Sequence, residues 1–221
     1  MRMTHEELNK ELEWNENEHL AEFIIESPIF FRSIIRDLGK IDEGGKIHFT
    51  QGGKAIASKD IEIVFNPLNL DFNNRRVITT LLKMVLKTSL SEDFYLPTNN
   101  LKTNIIKYLS EIVDSREFNF EVETDEFTIE SIAKATNLHV VGDEDDFVEL
   151  ITDYMAMMTE LIETKLFIFI NLRSFMNEDE TKRLVKNILN HQFNVLLIEN
   201  QNREKIENGS RIIIDKDLCE L

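Results

Sequence analysis

The stretch LFIFINLRSFMNEDETKRLVKNILNHQFNVLLIEN, residues 166–200, decides the fold class. Leu166–Ile170 and Val195–Ile198 are apolar at every position, the pattern of parallel strands covered on both faces. Between them Asn177 and Glu180 form an N-cap and N3 pair that opens an amphipathic helix over Glu178–His191. Strand, helix and strand in this order make a βαβ crossover and so an α/β protein. Asn171 ends the first strand and Glu199-Asn200 end the second. Open α/β sheets bind ligands at such carboxyl ends. The two readings are a nucleotide or metal site, and plain polar capping where the strands leave the core.

Working outward, Leu20–Glu26 reads as another strand. Ser27-Pro28 then supplies an N-cap and a first-turn proline for a helix with the apolar stripe Ile29, Phe30, Ile34, Ile35 and Leu38, ending at Gly39. Ile47–Thr50 with Gln51-Gly52-Gly53 reads as a hairpin, and Ile61–Phe65 as a strand that stops at Asn66-Pro67. Phe118–Val122 alternates as a strand, Thr128 caps a helix running to about Asn137, and His139–Val141 reads as a short extended piece. A helix is expected over Asp146–Glu163 and a last strand over Arg211–Asp215.

The middle of the chain differs in character. Val77, Leu81, Leu82 and Val85 give Asn74–Leu90 a helical period. Pro97 is read as the start of a second helix carrying Leu101, Ile105, Tyr108, Leu109 and Ile112. The expected architecture is an α/β head with a mixed or parallel sheet, built from residues 1–70 and 126–221, and an inserted α-helical leg over residues 71–125.

Composition narrows the class. In 221 residues there are 7 glycines and 3 prolines, well below the combined usage of about 12%. That disfavours a turn-rich all-β sandwich. An apolar content of 42% with 15 Phe excludes a disordered chain. The single cysteine, Cys219, excludes an internal disulfide framework and a cysteine zinc site. The opening MRMTHEELNKELEW has no apolar signal-peptide core, and no run reaches the ~18 apolar residues of a membrane span. A cytoplasmic protein is the expectation.

The net charge of −16 is unevenly spread. Residues 1–70 carry −5, residues 71–110 carry +3, residues 111–164 carry −14, and residues 165–221 are neutral. Overall acidity argues against nucleic-acid binding, yet a bipolar chain can turn its basic part toward a polyanion. The basic part has a pattern. Arg76, Lys83 and Lys87 recur at i, i+7 and i+11 on one helix face, with Arg75 beside them. A solvated face and a stripe of backbone phosphate contacts are both consistent with that spacing. No aromatic residues are interleaved as single-strand binders use them.

The acidic part holds two clusters. Glu121, Glu123, Asp125 and Glu126 fall within six residues, and Asp143, Glu144, Asp145 and Asp146 are consecutive. Such crowding is either solvated or neutralised by a hard cation such as Ca²⁺, which takes 6–8 oxygens. Neither cluster is an EF-hand loop. The runs Gly44–Lys46 and Gly52–Lys54 miss the G-x-x-x-x-G-K-[ST] phosphate loop, because Ile47 or Ala55 stands where a Mg²⁺-binding hydroxyl is needed. The five histidines have no metal-ligand spacing. No G-x-S-x-G nucleophile turn occurs.

Val122-Glu123-Thr124-Asp125-Glu126-Phe127-Thr128-Ile129, Leu166–Asn171, Phe175–Glu180 and Val195–Glu199, in that order, resemble the Csn-two family, the accessory spacer-adaptation protein of type II-A CRISPR loci. Leu70-Asp71-Phe72-Asn73 fits the same family. The resemblance implies an α/β head distantly similar to phosphate-loop ATPases without their nucleotide site, joined to a helical leg. It also implies a homotetrameric ring that holds Ca²⁺ and binds double-stranded DNA ends without sequence preference. The implied partners are the CRISPR integrase and the effector nuclease, and no enzymatic activity is implied. Glu123, Asp125 and Glu126 fall on the family's acidic motif and are the expected calcium ligands. Arg75, Arg76, Lys83 and Lys87 are the expected DNA contacts. The alternative is a metal-dependent nuclease or NTPase using the acidic cluster, with Glu199 as a further carboxylate.

Overall fold

The structure is a computed structural model that describes residues 1–15, 17–114, 127–142, 145–207 and 209–221. The chain divides into two compact units. An α/β unit comprises residues 1–71 and 142–221, and a helical unit comprises residues 72–141. The helical unit thus extends past the expected boundary at residue 125.

The α/β unit is built around five parallel strands. They are β3 (Leu20–Ile25), β6 (Ile61–Val64), β7 (Leu166–Ile170), β8 (Val195–Glu199) and β9 (Ser210–Ile214), in the order β6-β7-β8-β3-β9. Every residue of β3, β7 and β8 is buried, so their continuous apolar runs do reflect cover on both faces. The βαβ crossover is present: β7 leads through a 3-10 turn, Leu172–Phe175, into α6 (Glu178–His191), and then into β8 alongside β7. Asn177 caps α6 as expected: its Oδ1 accepts from Glu180 N at 2.9 Å, and Glu180 Oε2 accepts from Asn177 N at 2.8 Å.

A second, antiparallel sheet was not expected as such. It has the order β2-β1-β4-β5, from β1 (Arg2–His5), β2 (Leu12–Glu13), β4 (Ile47–Gln51) and β5 (Lys54–Ala55). The hairpin at Gly52-Gly53 joins β4 to β5, with both glycines in the left-handed region at φ +56° and +77°. That is the backbone a two-residue hairpin turn requires. Met3, Leu12, Trp14, Ile47 and Phe49 from this layer share one apolar cluster with Phe23, Ile25, Ile168 and Ile198 of the parallel sheet. The cluster also takes Phe30, Ile34 and Leu38 of α1 (Pro28–Leu38). Alternate residues of the parallel strands point to the other face. There α5 (Phe147–Ile162) contributes the buried Val148, Ile151, Met155 and Met158, and α6 contributes Leu184 and Ile188.

The helical unit holds α2 (Arg75–Ser89), α3 (Glu92–Asp114) and α4 (Ile129–Ala135). Asn74 caps α2, its Oδ1 accepting from Arg76 N at 3.0 Å and Val77 N at 3.1 Å. Thr128 caps α4 in a reciprocal pair with Ser131. Pro97 does not open α3 as the sequence suggested. The helix already begins at Glu92, with Ser91 O accepting from Phe94 N and Tyr95 N, and Pro97 lies inside it. The expected polar loop is therefore only Leu90-Ser91, and the proline costs one intrahelical bond to Asp93. His139–Val141 is irregular rather than extended strand. The expected strand Phe118–Val122 lies outside the described residues.

Candidate functional site

Arg75, Arg76, Lys83 and Lys87 all lie on α2 and all are exposed. The opposite face of α2 is buried through Val77 and Leu82, which fixes the rotation of the helix and turns the cations outward. Arg75, Lys83 and Lys87 form no ion pair among the described residues. The first turn of α2 has no acidic residue either. An exposed row of cations on one helix face suits salt-dependent contacts to a phosphate backbone.

The proposed calcium ligands Glu123, Asp125 and Glu126 lie outside the described residues, as do Glu121, Asp143 and Glu144. Among the described residues, no three His, Cys, Asp or Glu side chains converge where a metal could be held. From the second acidic run, Asp146 is committed elsewhere. Its Oδ1 caps α5 by accepting from Val148 N at 2.9 Å, and its Oδ2 accepts from Arg183 Nη2 at 2.6 Å. The Arg183 hydrogen bond holds the Asp146 carboxyl below its ordinary range.

Asn171 is a capping residue: it sits in the left-handed region at φ +54°, and its Oδ1 accepts from Asn200 N at 3.0 Å. Between β3 and α1 there are only Glu26 and Ser27, so no glycine-rich loop stands there to cradle a phosphate.

Glu199 belongs to a network that sequence reading missed. Glu22, in the middle of β3, is fully buried, as is Glu199 at 1% exposure. The register pairs Glu22 with Leu197 and Ile24 with Glu199, which sets both carboxylates on one face of the sheet. Glu22 Oε1 accepts from Arg173 Nη1 at 2.6 Å, and its Oε2 accepts from Arg211 Nε at 3.0 Å. Arg211 is the register partner of Glu22 on β9, so the neighbouring strand delivers the counter-charge. Glu199 Oε1 accepts from the backbone N of Arg173 at 3.0 Å. Its Oε2 is buried and has no hydrogen-bond partner among the described residues. Burial pushes the Glu199 carboxyl up to about 7, against the opposing hydrogen bond from Arg173 N and the charges of Arg173 and Arg203. The signals in the sequence are Glu199 at the end of an apolar strand, which the strand-end reading includes, and Glu22 inside another, which it does not.

Fold and surface together define a parallel-sheet α/β protein without a phosphate loop, carrying an inserted helical unit with a basic face. The family profile of the CRISPR-associated protein (Cas_Csn2) matches residues 40–218. This chain belongs to that family. Among solved structures, one named as an ABC transporter (ATP-binding protein) from Pyrococcus furiosus aligns over 94% of this chain and 90% of its own. It shares 12% identity at a TM-score of 0.38, too low to establish a common fold. No helix among the described residues is long and apolar enough to cross a membrane.

Proposed function

We propose that this CRISPR-associated protein binds double-stranded DNA ends without sequence preference, as a calcium-dependent homotetrameric ring, and supports spacer acquisition in type II-A immunity. It does so without enzymatic activity, in the cytoplasm, beside the CRISPR integrase and effector nuclease. The observation that carries this reading is the exposed row of Arg76, Lys83 and Lys87 on one face of α2, with Arg75 beside it. Family membership supports the CRISPR context. Backbone contacts of this kind carry no base information, so binding is sequence-independent and weakens steeply with salt.

Two further features favour the reading. α3 has no buried residue, and Leu96 and Tyr108 are 68% and 63% exposed, which suits self-association. Glu123, Asp125 and Glu126 sit in the −14 segment, and carboxylates are the donors Ca²⁺ takes. Bound Ca²⁺ would remove charge that repels DNA. A closed ring admits duplex only at a free end, which gives the preference for ends.

The test is a gel-shift titration with one plasmid, supercoiled and linearised, in calcium and in EDTA. Binding to the linear form alone, and only with calcium, is expected. Equal binding to both forms contradicts threading. Degraded DNA returns the metal-dependent nuclease, with Glu123, Asp125, Glu126 and Glu199 as its carboxylates, to first place.

A further inference from the structure

The α/β unit carries a groove of about 410 Å³ that the DNA-binding reading does not use. One wall is α6, from Glu178 to Asn190, and the other is the segment Glu204–Glu207 that follows β8. The groove runs along the length of α6, the helix that joins β7 to β8. The volume is in the range of small-molecule pockets, about 300–1,000 Å³.

The second wall is held by the buried network. Arg211 Nη2 donates to Arg203 O at 2.9 Å while its Nε is bound to Glu22, and Ile206 N donates to the same carboxylate at 3.3 Å. The groove is therefore built in advance rather than formed by a loose loop.

Its polar equipment includes a buried cation. Arg173 lines the groove at only 8% exposure, and its buried Nε has no hydrogen-bond partner among the described residues. An orphaned guanidinium N–H is costly, and an oxyanion is the acceptor that suits it best. Lys182, Lys186 and Lys205 line the same groove and form no ion pair among the described residues. Val185, Leu189 and Ile206 give it an apolar side. Glu178, Glu204 and Glu207 add acceptors, which a bare phosphate would avoid but which ribose hydroxyls or an exocyclic amine would use.

We propose that this groove is a nucleotide-binding site, with the phosphate directed at Arg173 and the lysines, the base on Val185, Leu189 and Ile206, and the sugar or amine toward the carboxylates. The binding is reversible and needs neither a phosphate loop nor a metal. It is separate from the α2 stripe and stands or falls independently of DNA binding.

Calorimetric titration of the full chain with ADP, inorganic phosphate and adenosine, without divalent metal, tests it. ADP binding is expected, with phosphate and adenosine each weaker by about tenfold or more, because each keeps only part of the contacts. Arg173 is tied to Glu22, so its replacement endangers the fold. Lys186→Glu and Val185→Trp change the groove from an exposed and a half-buried position instead. Each is expected to weaken ADP about tenfold or more while leaving the melting temperature in place. Lys83→Glu/Lys87→Glu is expected to bind ADP as the unaltered chain does. The proposal is overturned if ADP gives no heat at millimolar concentration. It is also overturned if phosphate binds as tightly as ADP, if both groove variants bind normally, or if the α2 variant is the one that loses ADP.

Discussion

The two units bury their apolar residues in opposite ways. In the α/β unit, β3, β7 and β8 are buried at every position and helices or a second sheet cover both faces. In the helical unit, α3 spans Glu92–Asp114 without one buried residue, and the buried apolar residues among those described are Phe72, Val77, Leu82 and Ala133. The first unit holds itself together through packing. The second keeps exposed apolar residues and a basic stripe on its surface, and exposed apolar patches are common at interaction sites.

The strongest way to break this contrast is to cut into both units alike. Phe167→Ala in β7 should cost about 3–5 kcal/mol in urea denaturation, the range for emptying a packed aromatic site. Tyr108→Ala in α3 should change stability by less than about 0.5 kcal/mol at low protein concentration. The same change should weaken self-association in sedimentation velocity. A comparable loss of stability from both variants would remove the contrast.

A second effect is specific to the α/β unit and depends on pH. The Glu199 carboxyl sits at about 7 in the fold, above its ordinary 4.5. Between those values the folded chain keeps a proton that the unfolded chain has lost. Stability therefore falls as pH rises from 4.5 to about 7 and is flat beyond, as far as this group is concerned. The span is on the order of 3 kcal/mol. Glu199→Gln should remove this fall and be the more stable chain at pH 8, measured by denaturant midpoints across the range. A variant whose pH dependence matches that of the unaltered chain would contradict the assignment.

The smallest expected effect is at a cap of the helical unit. Asn74→Ala removes the acceptor for Arg76 N and Val77 N and should cost about 1 kcal/mol. Hydrogen exchange in the first turn of α2 would show it, with the α/β unit unchanged. Protection lost in both units together would mean that they unfold as one.

Legibility from sequence followed the locality of the interactions. The runs Leu166–Ile170 and Val195–Ile198 could be read because burial on both faces leaves only apolar residues. The caps Thr128 and Asn177 could be read because a cap and its helix are neighbours in the chain, whereas Ser27 holds the N-cap position of α1 without a side-chain cap bond. β1 and β2 could not, since Arg2–His5 and Leu12–Glu13 are short and partly polar and become strands only through pairing. Pro97 misled because a proline six residues into a long helix forfeits one bond that the remaining turns offset.

For the candidate site, the α2 stripe followed from helical spacing alone. The buried network did not, because Arg173 and Glu22 are 151 residues apart and only the sheet register brings them together. The acidic residues Glu123, Asp125 and Glu126 rest on family resemblance and carboxylate chemistry.

The central claim is that the basic face of α2 meets a phosphate backbone. Its most direct test is the affinity of a fluorescent linear duplex as a function of salt, for the unaltered chain and for Lys83→Glu/Lys87→Glu, with calcium held constant. The account predicts weaker binding by the variant and a log–log salt slope shallower by about 0.9 for each phosphate that the variant no longer neutralises. The stability of the α/β unit should stay the same. Equal affinity and equal slope for the two chains would contradict it.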